Sequence, residues 1–264
     1  MTIRVSVGGA TGWTGAPLCV AVRAAADLRL TGATGRATVG QDLGSVIAGE
    51  DWQVPVQATV VGAVANADVY VDFTSHAAVK DNVLNAIAAG VHVIVGSSGL
   101  TSEDYDEIDA AAERAAVGVI AAGNFAVLAA LAQVAAIEVA KTVPTWEVID
   151  YASFTKPDVP SGTARELAER LSSVHAPTIG VETSSIAGPR EARGADIAGT
   201  RVHSIRQPGF VVSTEVVFGL PGQRLTIRFD AGESPQPYVD GVLLAIRAVT
   251  DRVGLTRGIE QLLG

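Results

Sequence analysis

The chain holds a single cysteine, Cys19, among 264 residues. One thiol excludes an internal disulfide and a cysteine metal cluster, and it fits a reducing, cytoplasmic setting. Basic runs are missing as well. Lys and Arg number 19 against 28 Asp and Glu, a formal charge of −9, so nucleic acid is not an expected partner. His76, His92 and His175 are scattered without ligand spacing, and no metal site is expected. No repeat, heptad or low-complexity segment is visible. The opening residues, Met1-Thr-Ile-Arg-Val-Ser-Val7, lack the basic head and apolar body of a signal peptide. An uncharged run from Ala115 to Ile137 matches the ~20 residues that a bilayer requires. Gly123-Asn124 interrupts it with a turn signal. A buried strand followed by a buried, alanine-rich helix accounts for the same hydropathy, so no membrane span is expected.

What remains is a chain that is 48% hydrophobic and 18% charged, enough for one large or two small cores. Apolar, β-branched runs alternate with helical patterns up to about residue 125. Strands are expected at Ile3–Val7, Leu28–Thr31, Asp68–Phe73, His92–Val95 and Val117–Ala121. Helices are expected at Ala16–Ala26, Ala77–Ala89 and Ser102–Ala115. This alternation predicts a parallel sheet covered on both faces. The second half groups its strands, at Glu147–Phe154, Thr200–Ile205, Phe210–Phe218 and Leu225–Phe229, the last two forming a hairpin around Leu220-Pro-Gly-Gln223. That grouping predicts a second domain with a mixed or antiparallel sheet. Thr183–Gly199 reads as an exposed loop, and Tyr238–Val249 returns to a helical pattern. The fold class is α/β: a Rossmann-like parallel sheet, then an α+β domain with a mixed, largely open sheet.

Two stretches carry chemistry. Gly9-Ala-Thr-Gly12-Trp-Thr-Gly15 follows the first strand and opens the first helix. Such a turn brings backbone close to a pyrophosphate and lays it on a helix N-terminus. The strand-to-helix context is what gives a glycine triplet weight; a tight turn without ligand is the alternative. The second strand ends in Gly32-Ala-Thr-Gly35-Arg36, with no carboxylate for a ribose 2′-hydroxyl. Arg36 suits a 2′-phosphate instead, so NADPH is the expected cofactor and NADH the alternative. Gly96-Ser97-Ser98-Gly99 and Asn124-Phe125 follow later strands and are placed to close on the nicotinamide side. The second stretch is Lys156-Pro-Asp-Val-Pro-Ser-Gly-Thr-Ala164. Ser161 reads as an N-cap, Gly162 and Thr163 open the first turn of a helix over Ala164–Leu171, and Lys156 adds a full charge. The pair of cationic features predicts a pocket for a small carboxylate.

These residues resemble the dihydrodipicolinate reductase family. The resemblance is carried by Gly9–Gly15, Val71-Asp-Phe-Thr74, Gly96–Thr101, Asn124-Phe125, Lys156 through Ala164, His203-Ser-Ile-Arg206 and Gly241–Arg247, in family order over nearly the whole length. It implies a dinucleotide-binding domain at residues 1–125 and 236–264, to which the last helix returns. It implies a substrate-binding and oligomerisation domain at 126–235, whose sheet builds a homotetramer. The implied activity is hydride transfer from NADPH or NADH to a cyclic, unsaturated imine carboxylate. Cofactor contacts fall by resemblance on Gly9, Ala10, Thr11, Gly12, Trp13, Thr14, Arg36, Phe73, Thr74, Gly96, Ser97, Ser98, Ala122, Gly123, Asn124 and Phe125. Substrate contacts fall on Ser153, Lys156, Ser161, Gly162 and Thr163, and Lys156 is the implied catalytic residue.

The resemblance breaks where the family places two adjacent histidines, an acid/base group and a substrate contact. Here these positions read Ala152 and Ser153, flanked by Tyr151 and Phe154. The family's glycine-loop arginine is replaced by Trp13, and its acidic residue at the second strand by Gly35. Three readings are open. The enzyme keeps the family reaction without the histidine, with Lys156 or water as proton source. Alternatively, the pocket serves another cyclic imine, made more apolar by Tyr151 and Phe154. In the third, the chain binds nucleotide and catalyses little. His203 and Arg206 read as sheet packing or subunit contacts. A short-chain dehydrogenase needs Tyr followed four residues later by Lys, and no tyrosine here meets that.

Overall fold

The structure is a computed structural model and describes residues 2–263. It divides into two compact units, Met1–Val127 with Pro235–Gly264, and Leu128–Ser234.

The first unit is built on a seven-stranded sheet in which every pairing is parallel. Its strands, numbered along the chain, are β1 (Ile3–Gly8), β2 (Leu28–Thr34), β3 (Val56–Gln57), β4 (Val69–Asp72), β5 (His92–Val95), β6 (Gly118–Ala121) and β12 (Gly254–Arg257). They lie in the order β12-β6-β5-β4-β1-β2-β3. All of β4 and β6 is buried, as expected of strands covered on both faces. The covering helices are α1 (Gly15–Ala24), α4 (Val79–Ala88), α5 (Ser102–Ala115) and α8 (Gln236–Val249), with short α2 (Leu43–Ile47) and α3 (Val60–Val64). Helix α1 turns Leu18, Cys19 and Val22 inward at helical spacing. Thr101 and Asp104 close a capping box on α5, and Ala116 ends it in a left-handed conformation, φ 53°. Ile87 and Ile108 anchor the core on that side, each burial contributing about 1.5–3 kcal/mol.

Chain order reverses at β1: β2 and β3 lie to one side, β4, β5 and β6 to the other. Ligands of open parallel sheets bind at the carboxyl ends of the strands beside such a reversal. Helix α8 packs against α1, β5 and β6, and its Gly241 lies against the chain just after β6. A β-carbon on Gly241 would stand 1.7 Å from the Phe125 carbonyl oxygen. Gly241→Ala is therefore expected to destabilise the protein by roughly 1–3 kcal/mol or more, read as a lowered Tm. Cys19 is wholly buried, and burial pushes its thiol pKa well up. A thiol reagent should leave the native protein unlabelled and modify Cys19 only after denaturation.

The second unit holds α6 (Val127–Ala140), β7 (Trp146–Ala152), α7 (Gly162–Val174), β8 (Ala195–Ile197), β9 (Thr200–Arg206), β10 (Val212–Leu220) and β11 (Gln223–Asp230). Its sheet runs β11-β10-β7-β9-β8; β7 and β9 are parallel and the other pairs antiparallel. Burial alternates along β7. Trp146 and Val148 face inward and pack with Leu167, Leu171, Val202 and Phe218. The uncharged run splits as read from sequence, into β6 and α6, and among the described residues no helix is long and apolar enough to cross a membrane. The expected loop Thr183–Gly199 is a correction. Its end folds into the edge strand β8, because Ala198 (φ 50°) and Gly199 (φ 91°) make a two-residue turn of positive φ. Asp196 Oδ1 accepts the Gly199 N–H at 2.8 Å and secures that turn.

Candidate functional site

The glycine loop is shaped by close backbone approach. Gly9 takes φ +70°, and a β-carbon there would lie 2.2 Å from the Phe73 carbonyl oxygen. One on Gly15 would lie 2.1 Å from the Gly9 oxygen. The Ala10 N–H donates to Thr34 at 3.1 Å and the Gly12 N–H to Gly9 at 2.9 Å, which ties the loop across the ends of β1 and β2. Thr14 makes no side-chain cap on α1, and the Ala16 N–H in the first turn of that helix donates to the Gly12 carbonyl at 3.0 Å. Thr11 and Gly12 are exposed, and Trp13, 54% exposed, sets its ring edge-on to Tyr238 at 5.8 Å.

Beyond β2 the missing side chain of Gly35 leaves a cradle. A β-carbon there would lie 3.2 Å from Thr38 Oγ1 and 3.7 Å from Thr11 Oγ1. Thr38 Oγ1 is buried and lacks a hydrogen-bond partner among the described residues. Arg36 stands exposed next to it. Two hydroxyls and a guanidinium without a carboxylate fit a phosphate on the adenosine ribose.

At the ends of β4 and β5 a buried carboxylate organises the loops. Asp72 Oδ1 accepts from Thr74 N (3.0 Å), Thr74 Oγ1 (2.7 Å) and Ser97 Oγ (2.6 Å). Its Oδ2 accepts from Tyr70 Oη (2.9 Å) and Asn82 Nδ2 (3.0 Å). Burial, then the neighbouring Asp72 charge, pushes the Tyr70 hydroxyl well above its ordinary pKa, so it stays a donor. The Phe73 ring lies over Gly96, where a β-carbon would meet Cε1 at 2.2 Å, and edge-on to Phe125 at 6.4 Å. Asn124 Oδ1 accepts the Ala126 N–H at 2.8 Å. Ser98 and Gly123 are exposed and Ala122 half-buried, at the carboxyl ends of β5 and β6. The cofactor residues expected from sequence thus lie together along one edge of one sheet. Tyr70 and Asn82 were missed: a buried Tyr reads as core and a helical Asn as surface, and only the fold brings them to Asp72.

In the second unit the turn from β7 to α7 holds the carboxylate-binding candidates. Ser161 caps α7, with its Oγ accepting from Ala164 N at 3.4 Å. The same hydroxyl donates to Asp150 Oδ1 at 2.6 Å, and Ser161 is 1% exposed, so its side chain is committed to the fold. Gly162 is half-buried and Thr163 buried at the first turn. Lys156 Nζ pairs with Asp158 Oδ1 at 2.9 Å, both side chains about a third exposed (29% and 35%). Ser153 and Thr155 share a hydroxyl contact of 3.0 Å. Arg206 turns to this side and donates to Asp150 Oδ2 (2.8 Å) and to the Asp158 carbonyl (2.7 Å). Within the sheet Arg206 on β9 pairs with Asp150 on β7, and it also reaches the loop that carries Lys156. Tyr151 is a correction. It faces away from Asp150 and Ala152 on β7, its ring against Phe210 at 5.1 Å and under Arg228 at 4.7 Å, so it does not line this turn. The reason is the period of a strand, which sends adjacent residues to opposite faces.

A parallel sheet with a glycine loop at its chain reversal, followed by a second unit with a mixed sheet, has counterparts among known proteins. The profile described as dihydrodipicolinate reductase, N-terminus, matches residues 3–125, and that described as dihydrodipicolinate reductase, C-terminus, matches residues 125–263. The chain belongs to the dihydrodipicolinate reductase family. Among its relatives, a protein named 4-hydroxy-tetrahydrodipicolinate reductase from Synechococcus elongatus is 36% identical over 99% of this chain and 98% of its own. The protein of that name from Moorella thermoacetica is 38% identical over 99% and 98%. A dipicolinate-bound dihydrodipicolinate reductase from Paenisporosarcina sp. TG-14 superposes with a TM-score of 0.76 at 29% identity, covering 99% of both chains. An amine dehydrogenase from Mycobacterium smegmatis, at 16% identity and a TM-score of 0.67 over 97% of this chain and 95% of its own, shares the fold alone. Within this family chain, the position of the first expected histidine is Ala152, wholly buried and with nothing to titrate.

Proposed function

We propose that this chain is an NAD(P)H-dependent reductase acting on a cyclic, unsaturated imine carboxylate of the 4-hydroxy-tetrahydrodipicolinate kind, with NADPH preferred. One observation supports the reading: the β7–α7 turn carries the Lys156 ammonium, about a third exposed, five residues before the Ser161-capped start of α7, in a chain that matches this family over both of its halves. A bound reduced nicotinamide supplies the hydride. The glycine loop and the α1 tip hold the pyrophosphate, and Arg36 with Thr11 and Thr38 holds the 2′-phosphate. Phe73, Thr74, Ser97, Ser98 and Asn124 shape the nicotinamide side. Lys156 and the amides at Gly162 and Thr163 fix the substrate carboxylates, which orients the reacting carbon. Lys156, or water beside it, returns the proton. With Ala152 in place of an imidazole, turnover should fall by the ~10²–10⁴-fold that a general acid contributes.

Ala152 also favours a second reading, a cyclic imine bearing less charge. NADPH oxidation with 4-hydroxy-tetrahydrodipicolinate, set beside cyclic imines with one carboxylate or none, separates the two. Faster turnover of the dicarboxylate supports the first reading, and preference for the others moves the assignment to the second. No oxidation with any of them leaves a nucleotide-binding protein. The proposed assembly is a cytoplasmic homotetramer, built through the sheet face opposite α7. That face carries Ile149, Ile205 and Val217 around a shallow cavity of about 560 Å³. Sedimentation should give four times 27.0 kDa; a monomer defeats this part of the proposal.

A further inference from the structure

Asp150 is wholly buried at the inward face of β7. The parallel register of β7 and β9 sets Ser204 opposite Asp150 and Arg206 opposite Ala152. The Asp150 carboxylate accepts from Ser161 N (2.9 Å), Ser161 Oγ (2.6 Å), Ser204 Oγ (2.9 Å) and Arg206 Nη2 (2.8 Å). Three of these bonds reach Oδ2 and one reaches Oδ1, so both carboxylate oxygens are engaged within the fold. Two branches leave it. One runs through Ser161 to the tip of α7. The other runs through Arg206 to the Asp158 carbonyl at 2.7 Å, and the Asp158 side chain holds Lys156 Nζ at 2.9 Å.

Stability is a weak reason for this arrangement, because buried ion pairs seldom repay their desolvation. Arg206 even leaves its Nε buried without a partner among the described residues. We infer that Asp150 is a positioning residue for the proposed reaction, setting the helix tip and the Lys156 loop in one geometry through Ser161 and Arg206. The inference rests on the carboxylate-binding reading above. Asp150 touches no substrate; it determines the spacing of the two groups that do. A dicarboxylate senses that spacing, and the nucleotide does not.

The test uses the full-length protein saturated with NADPH and pyridine-2,6-dicarboxylate as probe, with Kd measured by calorimetry. Asp150→Asn keeps the shape but turns an N–H toward a donor. Its Kd for the probe should rise on the order of 10–10²-fold, the scale of a misplaced charged hydrogen bond, while NADPH affinity holds. Arg206→Lys keeps the charge but loses the fixed guanidinium plane that holds Nη2 between its two acceptors. It should raise the probe Kd less, and Ser204→Ala least. A purely structural role would lower Tm and leave the affinity of folded protein intact. Should Asp150→Asn not fold, Arg206→Lys decides. Undiminished probe binding by the folded variant overturns the inference alone. No binding by the unaltered protein overturns the substrate reading and the inference with it.

Discussion

Lys156→Ala is expected to raise KM for the imine dicarboxylate by roughly 10–10²-fold, the loss of a charged hydrogen bond worth ~1.5–3 kcal/mol. The ammonium sits within 2.9 Å of Asp158 and remains about a third exposed, so it is held in place yet open to a guest. Were Lys156 also the proton source, kcat would fall with it, by up to ~10²–10⁴-fold. Lys156→Arg separates the two effects. A guanidinium grips a carboxylate but does not give up its proton, so KM should recover while kcat stays low. Recovery of both assigns the proton to water. An alanine variant with unchanged KM and unchanged kcat removes Lys156 from the site.

Gly35→Asp should reverse the nucleotide preference. The present cradle holds hydroxyls of Thr11 and Thr38 beside Arg36 and no carboxylate. A new carboxylate repels a 2′-phosphate and accepts from a ribose 2′-hydroxyl. Gly35 does not need a left-handed backbone, and its β-carbon would meet Thr38 Oγ1 at 3.2 Å, a contact that a small shift relieves. That unpartnered hydroxyl then gains an acceptor. The ratio of NADPH to NADH affinity, read from nicotinamide fluorescence, should fall by about 10²-fold, two charged contacts' worth. Arg36→Ala should weaken NADPH alone. Equal weakening of both nucleotides in Arg36→Ala would mean that the arginine does not read the phosphate.

The long, periodic elements were legible in the sequence. His92–Val95 and Ser102–Ala115 have the same ends in both, because apolar strand residues and a Thr-Ser-Glu-Asp cap are local signals. The hairpin at Pro221-Gly222 was legible for the same reason. Short pieces such as α2, β3, α3 and β12 were not, since a two- to five-residue segment carries no period and forms only against a finished sheet. The tight Gly9–Gly15 turn and the Ser161 cap of α7 could be read because glycine, serine and proline mark backbone geometry. The organising acids could not: Asp72 lay inside a quoted motif without a role, and Asp150 looked like any strand residue. Their work depends on Ser97, Asn82, Ser204 and Arg206, which lie from 10 to 56 positions away.

The most direct measurement follows the hydride itself. The protein is supplied with NADPH carrying deuterium at both hydrogens of nicotinamide C4 and with 4-hydroxy-tetrahydrodipicolinate, and the reduced product is weighed by mass spectrometry. The proposed reaction places one deuterium on carbon in the product. Cofactor oxidised with no deuterium on a carbon of the product, or no reduced product at all, would contradict it.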